Sequence, residues 1–244
     1  MNPSNAAIHV ETAVVVALFV LGYATFHRDM LAAIFIRPFA DRLPDGKEQA
    51  YTLFLRRFST IFTVGLVPLT TIFIVFGRGA REYGIGLPDD PLWFLAGFVF
   101  CLVILPIMTP FIRKPNLGNT LPRARIASWN RNDRTWNAIS WICYLAAYEA
   151  GLRGYVLFAL MRSVGIWPAI LVMTAIYVFI HLDKPWEEVI GSALMGPVFG
   201  LIALYSGSVL IPWLMHSFIA NATDILVLRS RDHPVTDRSR ASGA

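Results

Sequence analysis

Apolar residues along the chain gather into seven long runs that are separated by polar segments. A helix of about 20 mostly apolar residues crosses the hydrocarbon core of a bilayer. The runs approach or exceed that length, and we predict seven transmembrane helices, at Val10–Phe26, Phe58–Phe76, Leu92–Ile112, Trp136–Leu160, Ile166–Leu182, Val189–Tyr205 and Val209–Leu228. The predicted fold class is therefore an all-α, polytopic membrane helix bundle.

The polar segments divide the chain into three parts. Residues 1–135 hold the first three predicted spans and a polar connector, and residues 136–228 hold four closely spaced spans. Residues 229–244 are rich in Arg, Ser and Asp and have no hydrophobic periodicity. We predict that this last part is a mobile cytoplasmic tail.

The composition excludes two other classes of protein. The 244 residues are 56% hydrophobic and 15% charged, with a mean hydropathy of +0.56. Disordered chains have the opposite balance, with low hydrophobicity and high charge. A small disulfide-linked domain is also excluded, because the two cysteines, Cys101 and Cys143, both lie in apolar runs.

The basic residues predict the orientation of the chain in the membrane. With the N-terminus outside, 17 Lys and Arg residues fall in the inner loops and tail, and 3 fall in the outer loops. Cytoplasmic loops carry such an excess, so we predict an external N-terminus and a cytoplasmic C-terminus. The net charge of +5 is then matched by anionic lipid head groups, and no nucleic-acid partner is required.

Few ionisable side chains remain within the predicted spans. Such groups cost several kcal/mol in hydrocarbon unless they are paired or hydrated, so they are candidate functional residues. The set consists of Glu11, Glu149, Arg153, His181, Glu188, His216 and Asp224.

One carboxylate and two imidazoles on neighbouring spans are the groups that a buried hydrolytic site uses. Glu149 and Arg153 are four residues apart and share a helix face. The imidazoles of His181 and His216 suit a divalent metal or a developing oxyanion, and a carboxylate suits proton transfer from water. Each group also has a structural interpretation: an ion pair, an interfacial histidine and an interhelical hydrogen bond.

The order of these residues resembles the CPBP (Abi) intramembrane proteases, which include the type II CAAX prenyl endopeptidases. The family's first motif is Glu-Glu-x-x-x-Arg followed by Gly, and residues 148–154 read Tyr-Glu-Ala-Gly-Leu-Arg-Gly. The second motif, Phe-x-x-x-His, corresponds to Tyr177 through His181. The third, His-x-x-x-Asn or Asp, begins at His216 and meets Ala220 at its last position.

The resemblance implies a glutamate-dependent endopeptidase in a bacterial inner membrane, acting on a membrane-associated peptide or protein. Glu149 would activate the hydrolytic water, and Arg153 would orient its carboxylate. His181 and His216 would bind a divalent metal, most simply zinc, or support the oxyanion.

Two motif positions depart from the family, at Tyr148 and Ala220. Some bacterial members carry a later acid in the last span, which Asp224 matches. We expect Asn221 or Asp224 to take over the role lost at position 220 through a local helix irregularity, and Glu188 to support the site as well.

Two other functions are compatible with the same residues. A non-catalytic membrane scaffold or immunity-type protein would bind a partner in the same pocket, and the motif departures favour it. A small proton-coupled transporter would use Glu149 and the histidines as a relay. The sequence has no inverted repeat, which counts against the transporter.

Overall fold

In the computed structural model the described residues fold into helices and connecting turns, without a strand among them. They are residues 3–27, 47–112, 114, 119–124, 126 and 128–232. Their seven long helices are α1 (Pro3–His27), α2 (Glu48–Ile74), α3 (Leu92–Ile112), α4 (131–164), α5 (Ile166–Phe179), α6 (Trp186–Ser206) and α7 (Leu210–Asp232). This confirms the all-α prediction, and each predicted span coincides with one helix.

Five of these helices are long and apolar enough to cross a membrane. The qualifying segments are Asn5–Ala24, Glu48–Ile74, Leu92–Ile112, Trp186–Ser206 and Leu210–Ser230. The apolar helix α5 has 14 residues, and α4 contains several polar side chains. A helical membrane bundle is therefore consistent with the structure, and the count of seven spans stays a prediction.

Helix α4 occupies the centre of the bundle. Every residue from 151 to 160 is buried, so this stretch has no face turned to the outside. The helix contacts α1, α2, α5, α6 and α7. It begins with a capping box, in which the Asn130 side chain accepts the Asp133 backbone N–H at 2.9 Å. Its segment Ala150–Val156 is π-helical, and such segments are frequent at functional sites.

Helix α5 ends three residues before the predicted boundary at Leu182, where the side chain of His181 caps its last turn. His181 lies in the turn that follows Phe179. Its Nδ1 bonds the Tyr177 carbonyl oxygen at 2.8 Å. The bond satisfies a carbonyl that the helix leaves without an internal partner. Pro185 then precedes α6, whose other end is closed by Gly207 at φ 63°.

Two of the three basic residues from the predicted outer loops meet at one carboxylate. Arg78 and Arg162 both donate to the buried carboxylate of Glu11, at 3.1 and 2.7 Å. Arg123 and Lys184, from the predicted inner loops, line one cavity instead. The grouping is consistent with the predicted outer and inner loops lying on opposite sides of the bundle. Which of the two sides faces the cytoplasm stays a prediction. Residues 229–232 belong to α7, and the rest of the predicted tail, 233–244, lies outside the described residues, as do Arg28, Arg37 and Arg42.

Candidate active site

Glu149 joins two other predicted site residues directly. Its side chain is fully buried at the last α-helical position before the π-helical segment of α4. Arg153 Nη1 donates to Oε2 at 2.5 Å, and His216 Nδ1 bonds Oε1 at 2.6 Å. The ion pair expected from the four-residue spacing is thus present, and His216 on α7 completes a three-residue cluster.

The hydrogen bond to Glu149 fixes which nitrogen of His216 is basic. An ionised carboxylate has no hydrogen to donate and can only accept hydrogen bonds. The hydrogen in this contact is therefore carried by Nδ1 of His216. In the neutral ring, Nε2 then keeps its lone pair. The side chain of His216 is 20% exposed, against 0% for Glu149. His216 is therefore the member of this pair that is open to its surroundings.

Arg153 is enclosed by aromatic rings as well as paired with Glu149. Its guanidinium carbon lies 4.7 Å from the Tyr177 ring centroid and 5.1 Å from that of Phe199. Its Nε and Nη2 are buried and have no hydrogen-bond partner among the described residues. Because a buried charge without compensation is costly, the ion pair with Glu149 is a structural necessity for this arginine.

Close packing of three helices encloses the Glu149 region. A Cβ at Gly151 would lie 2.5 Å from Val64 Cγ1 and 2.8 Å from Phe19 Cδ2. The absence of a side chain at Gly151 thus allows α1 and α2 to approach α4. Water is excluded from that side, and the open side of the cluster is the one that His216 occupies.

The rings of His181 and His216 both pack near the ring of Tyr177. The ring centroids of His181 and Tyr177 are 4.6 Å apart, and those of Tyr177 and His216 are 6.5 Å apart. The Tyr177 carbonyl can only accept a hydrogen bond, so His181 Nδ1 is the donor in their 2.8 Å contact. In the neutral ring its Nε2 is then the nitrogen with the lone pair, as in His216.

Both histidines face a cavity of about 470 Å³ that lies between the helices. Tyr148 and Tyr177 line the same cavity, whereas Glu149 and Arg153 do not. Tyr148 thus occupies the wall position beside the histidines, and its ring centroid is 6.2 Å from that of His216. Its buried hydroxyl has no hydrogen-bond partner among the described residues. From the sequence, Tyr148 stands as a departure from the motif, and its place on the cavity wall emerges from the structure.

The three predicted supporting residues lie apart from the Glu149 cluster. Asp224 Oδ2 accepts from Asn137 Nδ2 and Trp141 Nε1, both at 2.8 Å. The amide of Asn221 donates to the Ser217 carbonyl of its own helix at 2.8 Å. Helix α7 runs without interruption from Leu210 to Asp232, so no irregularity turns either residue toward His216.

Glu188 lies at the mouth of the cavity. Both of its carboxylate oxygens are 3.0 Å from Arg123 Nη2. Lys184 lines the cavity nearby, and burial lowers its pKa to about 8, with a further contribution from the positive charge of Arg123. The mouth is therefore a polar, mostly charged rim around an otherwise apolar cavity.

The donor set only partly fits the divalent metal that the resemblance implies. His181 and His216 each direct Nδ1 to an oxygen atom, the arrangement that orients metal-binding histidines. A catalytic zinc has about three protein ligands. Among the described residues, no group of three or more His, Cys, Asp and Glu side chains is placed to hold a metal ion.

These features define the class of the protein: a helical integral membrane protein with a polar site enclosed between its helices. A family model described as Type II CAAX prenyl endopeptidase Rce1-like matches residues 132–222. This match confirms the resemblance over 91 of the 244 residues, a stretch that includes Glu149, Arg153, His181 and His216. Comparisons with curated proteins and with solved structures found no match.

Proposed function

We propose that the protein is an intramembrane endopeptidase that hydrolyses a peptide bond in a membrane-associated peptide or protein. The observation that carries the proposal is the 2.6 Å contact between Glu149 Oε1 and His216 Nδ1, with His216 on the cavity wall. A carboxylate that holds an imidazole in one tautomer, with the second nitrogen toward the substrate, is the arrangement of hydrolytic catalytic pairs. The protease family match over the same residues supports it.

The geometry favours His216, rather than Glu149, as the group that takes the proton from water. Both oxygens of Glu149 are already bonded, and the carboxylate lies behind His216 as seen from the cavity. His216 Nε2 would accept a proton from water while the water oxygen attacks the carbonyl carbon. The resulting imidazolium would then protonate the departing amine nitrogen as the carbon–nitrogen bond breaks. Glu149 would orient the ring and stabilise its positive charge.

Tyr148 and His181 supply the remaining groups for this reaction. The unpartnered hydroxyl of Tyr148 would donate a hydrogen bond to the oxyanion that forms on the attacked carbonyl. His181 presents an accepting nitrogen, which would orient the second hydrogen of the attacking water. Binding of a divalent metal by Nε2 of His181 and of His216 stays a separate proposal.

Cleavage by the purified protein tests the proposed function. The full chain would be placed in lipid nanodiscs and incubated with a library of lipid-anchored peptides, with products identified by mass spectrometry. We expect cleavage by the wild-type protein. We also expect it from the control variant His9→Gln, because the ring of His9 bonds Ser163 and no residue of the Glu149 cluster. His216→Gln should abolish cleavage. Undiminished cleavage by His216→Gln, or no cleavage by the wild type, would contradict the proposal.

A second candidate is a non-catalytic protein that binds a partner in the same cavity. The observation in its favour is that Glu149 itself does not line the cavity, where Tyr148 lies beside the histidines instead. This alternative predicts that the wild-type protein retains a bound peptide uncleaved. His216→Gln would then change the affinity for the peptide without any change in product formation.

A further inference from the structure

Arg57 on α2 is a buried cation on the cavity wall that lacks a direct acidic partner among the described residues. Its side chain is almost completely buried, and Nη1 donates to Asn137 Oδ1 and to Ser140 Oγ, both at 2.9 Å. The guanidinium carbon lies 3.8 Å from the Trp141 ring centroid. Asp224 bonds Asn137 and Trp141, which both contact Arg57, and its charge acts on Arg57 from beyond hydrogen-bond distance.

The second terminal nitrogen of Arg57 is the group to which a ligand would bind. Nη2 is buried and has no hydrogen-bond partner in the part of the chain that the structure describes. A buried guanidinium with unsatisfied N–H groups is costly unless an anion balances it. Since Arg57 lines the cavity, a ligand anion would reach it from there.

The cavity also has an apolar opening at the side of the bundle. Several residues line the cavity and yet are strongly exposed on the outer surface, with exposed fractions of 45–62%: Ile107 and Phe111 on α3, and Trp186, Ile190 and Leu194 on α6. Exposed apolar side chains on membrane-spanning helices face the hydrocarbon of the bilayer. The cavity therefore opens between α3 and α6 toward lipid chains.

The depth of Arg57 in the membrane matches a phospholipid head group. Arg56, Arg123 and Lys184 line the same cavity as Arg57, and so do the acids Asp183, Glu187, Glu188 and Asp224. Glu188 is paired with Arg123, and Asp224 is held by neutral donors. Helix α2 has 27 residues, about 40 Å in length, against a hydrocarbon core of about 30 Å. Arg57 directly precedes the apolar run of α2, at the depth where head groups meet hydrocarbon.

From these observations we infer that the cavity binds an anionic phospholipid. Its phosphate would lie beside Arg57, and an acyl chain would occupy the opening between α3 and α6. Lipid binding requires no peptide cleavage, so a negative result for lipid binding can be told apart from a negative result for the proposed function. A peptide carboxylate is the other anion that Arg57 suits, but it does not account for the apolar lateral opening.

Native mass spectrometry of the full chain in detergent tests the inference. Phosphatidylglycerol and phosphatidylcholine of equal chain length would be titrated separately, and the fraction of lipid-bound protein measured. We expect phosphatidylglycerol to bind at least tenfold more tightly than phosphatidylcholine. Arg57→Gln should remove this preference, and Arg57→Lys should retain part of it. Arg81→Gln is the matched control, since Arg81 is exposed and outside the cavity.

A second variant covers the outcome that Arg57→Gln does not fold. Leu194→Trp would fill the lateral opening at a side chain that is 62% exposed, and it should weaken phosphatidylglycerol binding at least tenfold. Equal binding of both lipids, or unchanged binding by Arg57→Gln, would overturn the inference. A third result would also overturn the inference. In that result an apolar peptide with a free carboxylate binds in an Arg57-dependent way, while the amide of that peptide and phosphatidylglycerol do not bind.

Discussion

Glu149 is the residue on which the candidate site depends, because it bonds both Arg153 and His216. The first bond is local, since residues four apart on a helix are neighbours, and the sequence predicted it. The second bond joins α4 to α7, and no spacing rule predicts that contact. The sequence could place His216 on the right helix, but only the packing of the helices brings it to Glu149.

Other residues at the site were missed or misplaced for physical reasons. Arg57 directly precedes the predicted span Phe58–Phe76, which predicts a place in an inner loop, yet α2 begins at Glu48 and buries it. Tyr148 stands in the sequence as a departure from the family motif. The sequence also predicts that Asp224 or Asn221 compensates for Ala220. Their side chains instead bond Asn137, Trp141 and a carbonyl of α7.

Removal of Arg153 should strongly destabilise the protein. Arg153→Ala leaves the carboxylate of Glu149 buried without its cation, and breaking a buried pair in this way costs about 3–5 kcal/mol. Arg81→Ala is the matched control, because the ion pair of Arg81 with Asp89 is 57% and 70% exposed. Exposed pairs contribute about 0–1 kcal/mol. Unfolding by denaturant in mixed micelles measures both, and equal losses would contradict the structural role of Arg153.

Removal of the Tyr148 hydroxyl should lower the rate of cleavage without weakening substrate binding. Tyr148→Phe keeps the ring, which stacks on Tyr144 with centroids 5.7 Å apart. Loss of one oxyanion donor reduces kcat by about 10²–10³-fold. Steady-state kinetics would show a lower kcat at an unchanged KM. A raised KM at an unchanged kcat would assign Tyr148 to substrate binding instead.

At the scale of the elements, hydrophobic runs located all seven long helices, because length and apolarity are local properties. The end of α5 and the two π-helical segments, Ile61–Leu66 and Ala150–Val156, were not predicted. They depend on contacts between helices and on the bond from His181 to its own helix. The hydrophobic pattern also could not show that α4 is central, since its polar residues make it resemble a less buried helix.

The close approach of α1 to α2 should be sensitive to a single methyl group. A Cβ at Gly22 would collide with the carbonyl group of Thr63, which is backbone and cannot rotate away. Overpacking of this kind costs about 1–3 kcal/mol. At Gly191, in contrast, nothing lies within 4 Å of the added Cβ.

The two alanine variants should therefore have opposite effects on stability. Gly22→Ala should lower the thermal unfolding temperature of the purified protein. Gly191→Ala should leave it unchanged or raise it, because alanine is favoured over glycine in helices by about 0.5–1 kcal/mol. A Gly22→Ala variant as stable as the wild type would show that α1 and α2 are not packed as described.

Lys184, in the turn between α5 and α6, should become reactive at unusually low pH. Burial lowers its pKa from the ordinary 10.5 to about 8. Between these two values the unfolded chain holds the proton and the folded chain does not, so the folded form gains stability as the pH rises. Acylation of Lys184, followed by mass spectrometry, should reach half its maximal rate near pH 8. A midpoint near 10.5 would contradict the partial burial of this side chain.

At the scale of the whole molecule, the structure gives a role to helices that the resemblance leaves out. The family match covers residues 132–222, yet α2 and α3 form part of the cavity wall. Arg57 and Ile107, on these two helices, lie outside the matched region and line the same cavity as His181. The cavity wall therefore includes helices from both the first and the second part of the chain, and the three-part division of the chain stays a prediction.

Glu149 and His216 are proposed to act as one catalytic unit. The most direct measurement is the single-turnover cleavage rate of the wild type, Glu149→Gln, His216→Gln and the double variant in nanodiscs. Residues that act as a unit have non-additive effects on rate. We predict that each single variant loses about as much activity as the double variant. Independent, additive losses, or a Glu149→Gln variant as fast as the wild type, would contradict the claim.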